Sequence, residues 1–215
     1  VTESHWRNAL PAGDVIVDGV PVHRFPIDPH DPVAHGQAFR EILDGNGQVF
    51  PATEERYLGA SIHSSALVSA LQSRQADFDA IITGPYLFGL TADIVRAFPE
   101  KTLIAPCFHD EPLARLRAWP TLCGDAAGVL YHSEAEQALA QAELGVNHPN
   151  SVVVGAALAP CVEPTPATSW RRPERPYAVY LGRYSDQKNV PLLLDWARQY
   201  QSRHPGRLDF VFCGR

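Results

Sequence analysis

Arg183 and Lys188 are the two side chains best placed to do chemistry. They follow Gly182 at the end of a β-rich apolar run, Tyr177 to Leu181, and an amphipathic segment from Val190 to Tyr200 continues beyond them. That order reads as strand, loop, helix. In an α/β sheet the loop after the carboxyl end of a strand faces the ligand crevice, where the next helix presents unpaired N–H groups and the positive end of its dipole. Two cations at that end make an anion site, and the ligand implied is a phosphate or diphosphate. Arg183 offers a planar fork of donors and Lys188 a compact point charge, so the two are not interchangeable. The same residues could equally be solvated cations of a surface loop, since spacing alone does not separate the two readings.

A second group, His109-Asp110-Glu111, follows the apolar run Thr102 to Cys107 after Phe108. It falls at the carboxyl end of a central strand, where α/β proteins place functional side chains, and His109 and Asp110 are the candidate catalytic residues. Asp110 could instead cap a helix opening at Glu111-Pro112, because Asp at the N-cap with Pro just inside is a common helix start. The two roles are compatible, with Asp110 capping while His109 faces the cleft. Trp6 and Arg7 could stack on or hydrogen-bond a sugar, although a Trp that pins a loop onto its own domain is the commoner case. His23, His30 and His35 lack helical ligand spacing and read as surface residues, not as a metal site.

Alternating elements position these groups. Asp18-Gly19, flanked by alternating apolar residues, predicts a hairpin with strands over Val15 to Val17 and Val20 to Phe25. A helix over Val33 to Leu43 comes next, then a helical region over Ala52 to Ala76 broken near Gly59. Strands are expected over Phe78 to Thr83, Thr102 to Cys107, Ala127 to Tyr131 and Ser151 to Val154. Between them lie helices over Leu87 to Phe98, Leu113 to about Trp119, and Ser133 to Leu144, the last opening on a Ser133/Glu136 capping box. Such alternation means a parallel sheet wound by right-handed crossovers, an α/β, Rossmann-like fold. Between Ala159 and Pro176 the prolines 160, 164, 166, 173 and 176 suit a stiff linker, and a β-rich pattern restarts at Tyr177. The expected division is a domain over 1–158, a linker over 159–176 and the beginning of a second domain over 177–215.

With 215 residues, 45% of them hydrophobic and 20% charged, the chain is globular and can bury at least one sizeable core. A net charge of −6 argues against a general nucleic-acid binder, whose phosphate contacts need a basic face. Cys107, Cys123, Cys161 and Cys213 form no close pair, so neither a zinc site nor a disulfide framework is suggested, and a reducing cytoplasm fits. The longest apolar stretch, Val152 to Val162, is interrupted by Gly155 and Pro160 and falls short of the roughly 20 residues that cross a bilayer. No Met occurs, even at position 1, and the closing Gly214-Arg215 should lead into another loop, so the chain reads as a piece of a longer protein.

Gly182-Arg183, the polar turn, Lys188-Asn189-Val190, Leu192-Leu193-Leu194 and the closing Phe210-Val211-Phe212-Cys213-Gly214 together resemble the opening of the donor domain in GT-B glycosyltransferases, specifically the large retaining family 4. The passage from Leu130-Tyr131-His132-Ser133-Glu134 through Gly145-Val146 to Val152-Val153-Val154-Gly155 resembles that family's run from a late acceptor-domain strand to its linker. Trp6-Arg7-Asn8 with Pro11-Ala12-Gly13 resembles a segment of certain bacterial members. Of these, the donor-domain opening is the motif-specific part.

The resemblance implies GT-B architecture, with a partial acceptor-side Rossmann-like domain followed by the start of a nucleotide-sugar donor domain. It implies transfer of a sugar from a UDP- or GDP-sugar to a hydroxyl of a glycan or lipid acceptor, with retention, as in cell-envelope polysaccharide biosynthesis. Gly182, Arg183 and Lys188 would grip the donor diphosphate, His109 and Asp110 would serve the reaction centre, and Trp6, Arg7 and Glu111 would lie toward the acceptor. It implies no metal and no cofactor beyond the donor, because two cations and a helix terminus neutralise the leaving diphosphate. No nucleic-acid partner is expected, and a cytoplasmic place is compatible with peripheral association at the inner face of the membrane. The glutamate pair that retaining GT-B enzymes keep in a later donor-domain loop would fall past Arg215, so turnover is expected of the parent protein and not of this piece. Two other readings stay open: a non-catalytic GT-B-like binding or partner protein, and a GT-B epimerase or phosphorylase.

Overall fold

The computed structural model describes residues 6–45, 48–157, 171–185 and 188–214. The chain divides into two compact units, Val1–Leu158 and Ala159–Arg215. The first opens with an antiparallel hairpin of β1 (Gly13–Val17) and β2 (Val20–Arg24). Asp18 and Gly19 take φ of 50° and 80°, the left-handed pair a two-residue turn needs, and Asp-Gly accepts it at little cost. Helix α1 (Pro32–Asp44) starts on Asp31, whose carboxylate accepts from the Val33 and Ala34 amides, with Pro32 in the first turn where no N–H is needed. The long helical region expected next is two helices, α2 (Pro51–Gly59) and α3 (Ser65–Ser73), the second capped by the Ser64 hydroxyl. His35 is not the surface residue expected. It is buried on the inner face of α1, its ring packed against Trp6 and Tyr57.

Strands β3 (Ile81–Thr83), β4 (Thr102–Ile104), β5 (Gly128–Tyr131) and β6 (Ser151–Val153) form a parallel sheet in sequential order. Helices α4 (Gly89–Ala97), α5 (Ala118–Asp125) and α6 (Glu134–Ala142) occupy the crossovers, so the unit is α/β and Rossmann-like. Right-handed crossovers between sequential strands all fall on one face. Ile104, Val129 and Tyr131 point into that face and join side chains of α1, α2, α4 and α5 in one core around the fully buried Trp119. On the other face Ile82 and Val152 remain 67% and 51% exposed.

The short helix expected over Leu113 to Trp119 is displaced. A single 3₁₀ turn covers Pro112–Arg115, and the helix proper is α5. Pro120 sits in the first turn of α5, where it costs no hydrogen bond. The Glu54 carboxylate of α2 accepts the Arg117 and Ala118 amides at 3.0 and 2.6 Å and so caps the helix from outside its own sequence.

The second unit is a parallel pair, β7 (Tyr177–Leu181) and β8 (Asp209–Cys213), joined by α7 (Val190–Arg203). Arg175 pairs with Asp209 at 2.8 Å where β8 begins. Residues 158–170, the greater part of the expected linker, lie outside the described residues, as does Cys161. Cys107, Cys123 and Cys213 are free thiols. Among the described residues no helix is long and apolar enough to cross a membrane.

Candidate functional site

In the first unit the candidate residues sit past the carboxyl end of β4. Cys107 takes a left-handed φ of 59°, Phe108 turns into the core against Tyr86 at 5.1 Å, and His109 and Asp110 emerge exposed. The expected cap does not form: the 3₁₀ turn begins after Glu111 with no side-chain cap, and the Asp110 carboxylate pairs with Arg115 at 2.8 Å. Arg115 reaches Glu143 at 2.9 Å as well, so a guanidinium shared by two carboxylates holds Asp110 in place of helix amides. Glu111 accepts the Tyr86 hydroxyl. Burial first, and then that carboxylate, push the Tyr86 phenol well above its ordinary range, so it stays a donor.

The capping box at α6 forms by half. The Ser133 hydroxyl accepts the Glu136 amide at 3.1 Å, but the Glu136 carboxylate turns elsewhere. One oxygen accepts from the Phe108 amide at 2.8 Å and the other from the His132 amide at 2.7 Å, and the side chain is buried. Two backbone donors and the positive end of α6 offset the cost of burying that charge. Glu136 thereby ties the loop after β4 to the loop after β5.

Above this clamp the Cys107 sulfur lies 3.5 and 3.6 Å from the two ring nitrogens of His132. An atom that close to both cannot approach in the ring plane without meeting Cε1, so the sulfur rests over the imidazole face. That is packing and not a thiol-to-imidazole proton relay. Burial, and then the Glu136 charge, raise the Cys107 pKa, which keeps the thiol protonated. Sequence reasoning read Glu136 as half of a capping box and did not single out Cys107, His132 or Glu136 as site residues, although the first two also fall on the carboxyl side of central strands.

Trp6 packs edge-on against His35 at 4.8 Å and Phe88 at 5.7 Å, and the Asn8 side chain accepts the Ile27 amide at 3.0 Å, so this segment is pinned on its own unit. Phe88 stands two residues beyond Tyr86 in the segment after β3, so Trp6 and Glu111 contact the same stretch. Arg7 is exposed.

In the second unit the loop after β7 carries Gly182, Arg183 and Lys188. The Gly182 amide donates to Cys213 at 3.0 Å, continuing the ladder one residue past the strand, and the Tyr180 hydroxyl donates to the Arg183 carbonyl at 2.8 Å. Neither the Arg183 nor the Lys188 side chain is in an ion pair or hydrogen bond among the described residues, and both are exposed. Asn189, at φ 52°, leads into α7 without a side-chain cap; the Val190 amide donates to the Ser185 carbonyl at 3.5 Å and Pro191 has no N–H, so Leu192 is the first-turn amide left to offer. Gly214, from the end of β8, closes the floor of the loop by backbone alone: a Cβ there would meet the Gly182 carbonyl oxygen at 1.8 Å. Asp186 and Gln187 of this loop lie outside the described residues. Two cations unpaired among the described residues, a helix start and a side-chain-free floor are chemically suited to a phosphate-bearing ligand.

Among the described residues no group of three or more His, Cys, Asp or Glu side chains is placed to hold a metal ion. Comparison of the chain with protein-family models, with curated proteins and with solved structures found no match.

Proposed function

We propose that the chain is part of a retaining GT-B glycosyltransferase of family 4, with Ala159–Arg215 contributing to the nucleotide-sugar site and Val1–Leu158 to the acceptor side. The observation that carries this reading is the loop after β7, where Arg183 and Lys188 stand exposed beside the start of α7 and are unpaired among the described residues. Exposed cations past the carboxyl end of a parallel strand are available to a ligand. During transfer, negative charge gathers on the leaving diphosphate. Groups that meet it there stabilise the transition state more than the bound donor, and that difference is what raises the rate.

On this reading Gly182 and Gly214 let the backbone approach the phosphates, while His109 contacts the sugar or the acceptor hydroxyl. Asp110, paired with Arg115, orients the loop that presents His109. Glu111 is engaged by Tyr86 and shapes the acceptor side with Trp6, whereas the exposed Arg7 would meet a more distant acceptor group.

Incubation of the intact protein with UDP- and GDP-sugars, followed by NMR, tests the proposal. Nucleotide release with an α-donor yielding an α-linked or α-hydrolysed product is the expected result. Nucleotide-sugar binding without release would favour the non-catalytic binding protein. Neither binding nor release would reject both.

A further inference from the structure

Residues 60–64, between α2 and α3, form a junction far from the phosphate loop in sequence. The Ser61 hydroxyl accepts the Gly89 amide at the start of α4 at 3.1 Å, and the His63 carbonyl accepts the Asp28 amide at 2.8 Å. Ser64 caps α3 through the Leu67 amide while donating its hydroxyl to the Pro26 carbonyl at 2.7 Å. Asp28 in turn accepts the Ser65 amide and hydroxyl at 2.8 and 2.9 Å. The segment leaving the hairpin, the start of α3 and the start of α4 therefore all depend on this turn.

The His63 ring closes the junction. Its Nδ1 lies 2.5 Å from Asp93 Oδ2 on α4, and its Nε2 lies 2.9 Å from the Leu58 carbonyl oxygen at the end of α2. Both partners are acceptors only. A neutral imidazole has one N–H and one lone pair, so either tautomer would aim a lone pair at an oxygen, and the imidazolium alone donates to both. The ring is wedged in place, since a Cβ on Gly89 would come within 2.5 Å of its Cε1.

We propose that residues 60–64 are a pH-sensitive latch, closed when the His63 imidazolium bridges Asp93 and the Leu58 carbonyl and loosened when that proton leaves. The charged groups around the ring are Asp93 and Arg96 of α4, Glu54 and Glu55 of α2, Arg117 ahead of α5, and Asp28. Glu54 is already occupied by the Arg117 and Ala118 amides, and the carboxylates that act on His63 to favour the cation are Asp93 and Asp28. The Asp93 hydrogen bond outweighs burial, and the His63 pKa is raised above 6.5. A raised folded-state value stabilises the fold fully below the unfolded value, and that stabilisation is lost as pH rises through the folded value. The latch is thus shut in mild acid and released on the alkaline side, where the cavity of about 380 Å³ beside His63 and Gly89 is free to widen.

The latch is independent of the glycosyltransferase reading and is tested on the chain without substrate. Long-range ¹H–¹⁵N spectra of the histidine rings, with His63 assigned by a His63→Gln variant, should show both nitrogens protonated at pH 6.5 and a titration midpoint above that value. Asp93→Asn should lower the midpoint. In the wild type, hydrogen exchange at the Asp28 and Gly89 amides, corrected for intrinsic rates, should lose protection as pH crosses the midpoint. A single neutral tautomer at pH 6.5, a midpoint unmoved by Asp93→Asn, or equal protection on both sides of the midpoint would overturn the proposal.

Discussion

A Cβ on Gly214 would lie 1.8 Å from the carbonyl oxygen of Gly182. The two glycines terminate β8 and β7, and they let the strand ends close on one another with only backbone between them. Gly214→Ala cannot be absorbed by moving a side chain, because the obstacle is a carbonyl. Its φ of 157° adds strain, and a loss of about 2–4 kcal/mol is expected. Gly182→Ala should cost less, since its nearest obstacle is the Tyr180 hydroxyl at 2.8 Å, the end of a side chain that can swing away. Urea denaturation of both variants checks the ranking; equal losses would contradict it.

Glu136 presents a different kind of dependence. Removing its carboxylate leaves the Phe108 and His132 amides without their acceptor, and hydrogen bonds to charged groups contribute about 1.5–3 kcal/mol each. Glu136→Ala should lose about 3 kcal/mol or more. Glu136→Gln retains one oxygen and should lose about half as much. Hydrogen exchange at the Phe108 and His132 amides should accelerate in both variants. Unchanged exchange in Glu136→Ala would mean that the loops after β4 and β5 are held by something else.

His109 is exposed and has no side-chain partner among the described residues, so His109→Ala should change stability by less than about 0.5 kcal/mol. If it contacts the sugar or the acceptor, turnover in the intact protein should fall roughly tenfold, the effect of losing one hydrogen bond in the transition state. Paired measurement of kcat and melting temperature separates the two roles. Loss of folding with the mutation, or unaltered turnover, would remove His109 from the site.

How far these features were legible varies with how local their causes are. The Asp18-Gly19 hairpin, the Asp31 start of α1 and the order of strands and helices follow from short-range chemistry, and the parallel α/β sheet follows from their alternation. The start of α5 was hidden because its cap, Glu54, comes from another helix. Asp110 had the right neighbours for an N-cap, but its carboxylate pairs with Arg115, which Glu143 shares, and short-range spacing does not show that partner. Glu136 fitted a capping box by spacing, and only the nearness of the Phe108 and His132 amides reveals where its carboxylate goes. His35 looked like a surface histidine because helical periodicity does not show that Trp6 and Tyr57 flank it. In the loop after β7 the cations were legible, while the close approach of Gly214 to Gly182 required the register that sets β8 beside β7.

The most direct test of the proposed function is nucleotide affinity in Arg183 and Lys188 variants of the intact protein. Each charge-assisted contact to a phosphate is commonly worth about 1.5–3 kcal/mol, and Arg183→Ala and Lys188→Ala should each weaken UDP- or GDP-sugar binding and kcat/KM by roughly one to two orders of magnitude. Arg183→Lys should be impaired as well, because the charge remains but the paired donors are lost. Melting temperatures should hardly move, since both side chains are exposed and unpaired among the described residues. Tenfold or greater loss of nucleotide affinity at unchanged stability is the predicted result; wild-type affinity in both alanine variants would contradict the diphosphate site and the glycosyltransferase reading built on it.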